Sequence, residues 1–289
     1  MDKLSPLLSR FTLNARVFYS GMLCGTSEFD TSAGIGHLHL LREGSVKISQ
    51  KNTATIDVTQ PSVIFYPRPH QHRFEVKHQD GAELVCAEID FGAGLGNPLV
   101  CSLPELIIIP LSDIAGLKSL LDMLFDEAFS SRCGRQTAVD RLTEYFLVLL
   151  LRHTIETQLI EIGVFAGLSD ARLARAITAM HEKPEYCWTL EKLANQANMS
   201  RTRFAVNFRD TVGTTPLDYL TDWRVSVAQT LLKRGQPLKM IAPAVGYGSS
   251  IALTRVFSKR VGVSPAMWLE AQTSIPSPNN SLINLHLKS

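Results

Sequence analysis

Two short stretches of this chain carry side chains suited to gripping a nucleic-acid duplex. Ser200, Arg201, Thr202, Val206 and Arg209 follow one polar turn, and Ser249, Ser250, Ile251, Thr254 and Arg255 follow another. Arginine forks onto phosphate or a guanine edge, hydroxyls serve phosphates or base edges, and small apolar groups meet a thymine methyl. A third set is of another kind. His37 and His39 stand two residues apart, as same-face residues of a strand do, with Glu43 and His72 downstream; such donors hold metal ions. Cys24 and Cys86 form a fourth set. An exposed, acidified thiolate senses oxidants, whereas a buried thiol acts as a small hydrophobe.

The first stretch sits in WTLEKLANQANMSRTRFAVNFRDTV, residues 188–212. Thr189 is suited to cap a helix over 190–197, Asn198 and Met199 to turn the chain, and Ser200 to cap a second helix with Phe204, Phe208 and Val212 inward. Gly213 then stops that helix, and Thr215 with Pro216 starts another. Leu217, Leu220, Trp223, Val227, Ala228, Leu231 and Leu232 carry it to Gly235, a rod of about 28 Å. The plan repeats in PLKMIAPAVGYGSSIALTRVFSKRV, residues 237–261, with Ile241, Ala242 and Val245 inward, Gly246 and Tyr247 turning, Ser249 capping, and Leu253 and Phe257 inward. One helix-turn-helix is common. Two, spaced by a stiff helix close to one DNA turn of about 34 Å, point to a sequence-specific DNA binder. The competing reading is a solvated polar face on a helical bundle. Arg224 on the rod reads as a structural partner rather than a phosphate contact.

The N-terminal half is patterned differently. Short β-like runs at 36–41, 45–49, 53–58, 62–66, 84–91 and 106–109, broken by Gly, Pro, Asn and Asp, suggest an antiparallel sandwich or barrel. Helical stripes follow: Ile114, Leu117, Leu121, Leu124 and Ala128, then Val139, Leu142, Phe146, Leu149, Leu150 and His153. These two helices pack on the barrel, on each other, or on a second copy of the chain. A linker over 161–169 leads to a helix over 170–182. The polar tail 273–289 is expected to be disordered. The expected division is therefore 1–110, 111–160, 168–272 and 273–289.

Composition narrows the classes. Residues 1–167 hold 14 Lys and Arg against 19 Asp and Glu, whereas 168–272 hold 14 against 8; a basic half beside an acidic one suits a nucleic-acid module joined to something else. Five scattered cysteines without a CxxC pair make neither a disulfide framework nor a zinc ribbon. The N-terminus lacks an apolar signal core, and the longest apolar run, 146–151, is far short of a membrane span. A cytoplasmic protein without a membrane partner is expected. With no nucleophile motif, phosphate loop or diagnostic carboxylate pair, neither an enzyme nor a cofactor is indicated.

The stretches LEKLANQANMSRTRFAVNFRDTVGTTPLDYL, WRVSVAQTLL and IAPAVGYGSSIALTRVFSKRVGVSPAMW resemble the DNA-binding region of the AraC/XylS family of bacterial transcription regulators. The resemblance implies two helix-turn-helix subdomains bridged by a helix on double-stranded promoter DNA, with RNA polymerase as partner of an activator. By position it puts base reading on Thr202, Val206, Ser250, Ile251 and Arg255. Departures are Val206 at a commonly polar position, Leu253 for Phe, Ile251 for Ser, Leu269 for Arg, and Pro243 before the second turn, where it removes a backbone donor. GIGHLHLLREGSVKI with PSVIFYPRPHQHRF resembles the cupin-like sensory domain of part of that family. His37, His39 and Glu43 have the spacing of a cupin metal motif, with His72 a candidate fourth ligand; but PRPHQHRF lacks the usual glycine, the resemblance implies that regulators of this type have lost the metal, and polar residues at a barrel mouth are the competing reading, so no bound metal is expected. Some relatives sense oxidants through cysteines placed like Cys24 and Cys86. The expected fold is α+β: an N-terminal antiparallel β-barrel, cupin-like, then an all-α double helix-turn-helix domain. The expected function is a transcription regulator whose sensor answers a small-molecule or oxidant signal, with a homodimer as one arrangement. The rival is a metal-dependent cupin enzyme with a helical appendage.

Overall fold

A computed structural model describes residues 2–11, 13–30, 35–51, 53–77, 81–92 and 98–273. These fold as two compact units, one from the described parts of 13–90 and 104–153, the other from those of 1–12, 91–103 and 154–276.

The first unit holds nine strands: β1 (Asn14–Leu23), β2 (Gly25–Phe29), β3 (Gly36–Gly44), β4 (Val46–Gln50), β5 (Ile56–Val58), β6 (Ser62–Tyr66), β7 (His72–Val76), β8 (Ala82–Asp90) and β9 (Ile107–Pro110). They pair antiparallel in two sheets, β1-β8-β3-β6-β9 and β2-β7-β4-β5. The expected β-rich, cupin-like unit is present, but as two sheets: among the described strands no pairing joins them into a closed barrel. Leu41, Ile64, Tyr66, Leu84 and Cys86 of the larger sheet meet Phe29, Val46, Ile48, Phe74 and Val76 of the smaller in one core.

The two amphipathic helices are α3 (Lys118–Ala128) and α4 (Arg135–Glu156), and the latter docks on β1. β1 shifts register between Val17 and Tyr19. A bulge leaves ladder groups unpaired, and α4 takes up those of Val17: its N–H donates to Asp140 Oδ1 at 2.7 Å, and Gln136 Nε2 donates to its carbonyl at 2.7 Å.

The second unit is helical: α1 (Ser5–Leu8), α2 (Pro98–Ser102), α5 (Val164–Ser169), α6 (Leu173–Glu182), α7 (Leu190–Gln196), α8 (Arg201–Val212), α9 (Pro216–Lys233), α10 (Leu238–Ala244), α11 (Ser250–Val261) and α12 (Pro265–Thr273). Residues 161–169, expected as a linker, instead hold α5. Its Val164, Phe165 and Leu168 are fully buried, and the Val164 N–H donates to Ser102 Oγ at 3.1 Å. Six residues are too few to show a helical period. Nor do the compact units follow the sequential division at 110 and 168: residues 1–12 and 91–103 fold with the C-terminal helices, and α3 and most of α4 with the sheets. The tail expectation falls on 274–289, outside the described residues.

The helical core centres on Trp223 of α9. The ring stacks on His181 at 3.9 Å between centroids and meets the edge of Phe11 at 5.1 Å. His181 Nε2 lies 2.6 Å from the Tyr219 hydroxyl, and burial pushes its pKa down to about 3. His181 is therefore neutral in the fold but takes a proton below pH 6.5 once unfolded. Its contribution is complete above pH 6.5 and is lost as pH falls toward 3, at about 1.4 kcal/mol per pH unit. Urea unfolding followed between pH 7.5 and 5 is expected to show this fall, and His181→Gln to flatten it. An equal slope in the variant would show that His181 is not its source.

Candidate nucleic-acid interface and sensory pocket

Both helix-turn-helix units form as their capping residues dictate. Thr189 Oγ1 accepts the Lys192 N–H at 3.2 Å to start α7, and Asn198, at φ 51°, makes the turn. Ser200 Oγ accepts the Arg203 N–H at 3.4 Å to open α8, which Gly213 ends in the left-handed region at φ 85°. In the second unit Ser249 Oγ accepts the Ala252 N–H at 3.2 Å, and Gly262 closes α11 at φ 86°. Pro243 lies inside α10 one residue before its end, where the ladder resumes with the Val245 N–H donating to the Ile241 carbonyl at 3.1 Å.

α8 and α11 align in sequence at a constant offset: Ser200 with Ser249, Phe204 with Leu253, Phe208 with Phe257, Gly213 with Gly262, Pro216 with Pro265. The inward members Phe204, Phe208, Leu253 and Phe257 are fully buried. Outward, Arg201, Thr202 and Arg209 are exposed on α8 along with Val206, which is 55% exposed. On α11 Ile251 is 74% exposed and Arg255 exposed, while Ser250 and Thr254 are half-buried. Arg255 has no ion pair among the described residues. Exposed Arg203 and half-buried Asn207 share the α8 surface with Thr202 and Val206. Sequence periodicity missed both because they flank the inward stripe. Exposed aliphatic side chains at these positions serve no core, but they suit a surface that meets base methyls.

The spacer between them is α9, 18 residues long, or about 27 Å. Thr215 Oγ1 accepts the Asp218 N–H at 3.2 Å at its start. Arg260 of α11 pairs with Asp218 and reaches Asp222 at 3.2 Å, so it fastens α11 to α9. Arg224 is structural, as expected: its Nε donates to the Pro184 carbonyl at 2.7 Å and its Nη2 to the Tyr186 carbonyl at 2.9 Å. A Cβ added at Gly246 would come within 2.7 Å of that guanidinium, so the glycine of the second turn leaves room for the arginine. Arg224→Ala is expected to destabilise the helical unit by about 1–2 kcal/mol. Arg224→Lys is expected to recover little, because an ammonium lacks the fork. Tryptophan fluorescence in urea measures both.

In the sheet unit, His37 and His39 on β3 and His72 on β7 come together, all three buried, with one ligand nitrogen from each within 4.8 Å of the others. Glu43 does not join them. It lies four residues beyond His39, about 13 Å along a strand, past a register shift between Leu41 and Glu43, and is exposed. His39 Nε2 is 2.9 Å from His72 Nε2, and His72 Nδ1 is 2.8 Å from the His70 carbonyl. Phe29 and Tyr66 stack on His72 at 4.8 and 4.0 Å, and Phe74 meets His39 edge-on at 4.6 Å. Desolvation lowers all three pKa values: His37 to about 4, His72 to about 3, and His39 well below its ordinary value, helped by its two neighbours. Three neutral imidazoles therefore share one apolar chamber.

Cys24 is half-buried at the β1–β2 junction, whereas Cys86 on β8 is buried in the core. Burial pushes the Cys86 thiol up. Tyr19, which pairs across the strands with Cys86, is raised by burial first and then by Cys86 and Cys24.

A family model described as cupin matches residues 2–156, and one described as a helix-turn-helix domain matches 193–271. The chain is 29% identical to the RCS-specific HTH-type transcriptional activator RclR of Escherichia coli, over 93% of this chain and 98% of that one. It is 31% identical to the HTH-type transcriptional regulator AlkR of Acinetobacter baylyi, over 68% and 69%. Similarity to an AraC-like transcription regulator of Streptomyces lividans is 32% identity over 64% and 62%.

Proposed function

The chain belongs to the AraC-type transcription regulators with an N-terminal cupin domain, and we propose from that premise how its parts share the work. It is a sequence-specific DNA-binding regulator whose sensory domain controls promoter binding. On our reading α8 and α11 enter the major groove. Thr202, Val206, Ser250, Ile251 and Arg255 meet base edges, with Thr254 beside them, and Arg201 and Arg209 meet phosphates. Ser200 and Ser249 spend their oxygens on the helix caps and keep a hydroxyl proton for phosphate. The observation carrying this reading is the pair of identically capped helices whose outward faces combine unpaired arginines with exposed aliphatic side chains.

Among the described residues no helix is long and apolar enough to cross a membrane, in keeping with work on cytoplasmic DNA. Exposed Met123 of α3 and Tyr145 of α4 support a homodimer through those helices. For an activator the remaining partner is RNA polymerase. An oxidant signal would meet Cys24 first, since Cys86 is covered.

Selection of bound duplexes from a random library, followed by titration of the enriched sequence, tests the reading. Beside the base-reading Arg255 and the paired Arg260, Arg201, Arg203, Arg209 and Lys259 supply four exposed cations on the two helices. If they displace counterions, the logarithm of affinity is expected to fall with the logarithm of salt with a slope near about −4. A flat response between 50 and 200 mM salt, or no enriched sequence, would remove the proposal.

A further inference from the structure

We propose that Arg224 is a positioning residue that locks the two reading units in one relative orientation, so that the chain chooses its DNA by the spacing between two contact sites as well as by their bases. The proposal rests on the reading of α8 and α11 as the helices that enter the groove. A rod sets a distance but not an orientation. α10 follows α9 through Gly235, which stands in the left-handed region at φ 76° with open space where a Cβ would be. Such a link lets the second unit pivot unless something else holds it. Burial of Ile241, Leu253 and Phe257 keeps that unit close, but directional polar contacts decide how it is turned. Arg260 fastens α11 to Asp218 and Asp222, through pairs open enough to solvent to hold weakly. The firmer hold is on the turn of the second unit, Gly246 and Tyr247, which rests on Arg224.

Arg224 joins that turn to the first unit. Its Nε and Nη2 donate to the Pro184 and Tyr186 carbonyls, both in the segment between α6 and α7. The guanidinium also lies 5.6 Å from the centre of the Tyr247 ring. On its other side the segment is tied to α7: Lys192 Nζ donates to the Cys187 carbonyl at 3.0 Å and stands over the Tyr186 ring at 4.5 Å. Trp188 stiffens it, donating from Nε1 to the Lys183 carbonyl at 2.9 Å and meeting Tyr186 edge-on at 4.7 Å. A chain of contacts thus runs from α7 through residues 184–187 and Arg224 to the turn before α11, beside the covalent path along α9. Two separate connections leave no swivel. Gly246 makes the joint tight. A Cβ there would stand 2.7 Å from Arg224 Nη2 and 3.0 Å from the Glu185 carbonyl oxygen. The first unit's turn has Asn198 at the equivalent place, also at positive φ, and both turns close with the same kind of bond, Met199 N–H to the Ala194 carbonyl and Tyr247 N–H to the Ala242 carbonyl. The left-handed turn itself therefore does not demand glycine; the close approach to Arg224 and Glu185 does.

Gel-shift titration of the full chain on a series of duplexes tests the lock. The series starts from the selected duplex and adds or removes one base pair between the two contact sites, which moves them by about 3.4 Å along the axis and about 34° around it. The unaltered chain is expected to lose affinity at least about tenfold at each altered spacing. Arg224→Ala and Arg224→Lys are both expected to flatten that profile to within about threefold, with base preference at each site unchanged, because the lysine keeps the charge and loses the fork. Gly246→Ala should act in the same way. A residue that served stability alone would lower affinity equally at every spacing, and that result for both Arg224 variants would overturn the proposal. So would a flat profile in the unaltered chain. Failure to select any duplex would instead overturn the DNA-binding reading beneath it. The lock is also measured without DNA, by the electron-spin distance between labels carried on non-natural side chains at Asp210 and Lys259, matching exposed positions of α8 and α11. One narrow distance is expected in the unaltered chain and a broad distribution in Arg224→Lys and Gly246→Ala. A broad distribution in the unaltered chain would overturn the proposal even if no variant folds.

Discussion

Trp223→Ala is expected to cost the helical unit about 3–5 kcal/mol, the largest single loss among the substitutions considered. The indole is fully buried, stacked on His181 and edged by Phe11, so its removal opens a cavity between α9, α6 and the N-terminal segment. A domain holds only about 5–15 kcal/mol in all, and a loss of this size leaves little margin. The spacer is the element that places both reading units, so specific DNA binding should fall with folding. The experiment is well posed because the chain has three tryptophans, Trp188, Trp223 and Trp268, all in the helical unit. Trp188 and Trp268 remain to report that unit in urea, while the sheet unit is silent. Trp223→Phe keeps an aromatic ring for His181 and is expected to cost markedly less. A loss of under 1 kcal/mol in the alanine variant would mean that the unit's core lies elsewhere.

The helical unit was legible because its grammar is local. Thr189, Ser200, Ser249, Gly213 and Pro216 each act within one turn of where they stand, and the structure uses the first three as N-caps, Gly213 as a stop and Pro216 as a first helical residue. The sheet unit was only half legible. The strands at 62–66 and 84–91 announce themselves by apolar runs, but β7 reads HRFEV, and its inward face is His72, Phe74 and Val76. A histidine facing the core erases the alternation that identifies a strand. β2 is hidden likewise, with Ser27 buried beside Phe29. β1 loses its period at its bulge. The residues that obscured the strands are thus among those that build the chamber. Glu43 shows the converse failure. Spacing alone grouped it with the histidines, and a register shift, which no spacing rule contains, removed it. The docking of residues 2–11 with the C-terminal helices was equally out of reach, since it rests on contacts such as Lys3 Nζ with the Leu168 carbonyl at 2.6 Å, across most of the chain.

Arg255→Ala is expected to weaken binding to the selected duplex by about 1–3 kcal/mol, roughly 5- to 150-fold, and to relax choice at one base pair. The register between the two reading helices makes this specific. Val206 on α8 and Arg255 on α11 occupy matching positions, as do Thr202 and Ile251. The two helices therefore differ in chemistry at the same two places. α8 offers a hydroxyl and then an aliphatic group, suited to a thymine methyl; α11 offers an aliphatic group and then a guanidinium, suited to a guanine one turn of helix further on. Neighbouring Arg260 is committed to Asp218 and Asp222, and Arg224 to backbone carbonyls, so Arg255 is free where they are not. Arg255→Lys keeps the charge and loses the fork. It should keep the salt dependence while losing most of the base discrimination, because a phosphate needs only charge and a guanine edge needs two donors in one plane. Ile251→Ser, by contrast, should leave the guanine preference intact and weaken that for the neighbouring thymine. If Arg255→Ala reduced affinity equally for every sequence and lowered the salt slope by about one, Arg255 would be a phosphate contact, and base reading by α11 would rest on Ile251 and Ser250.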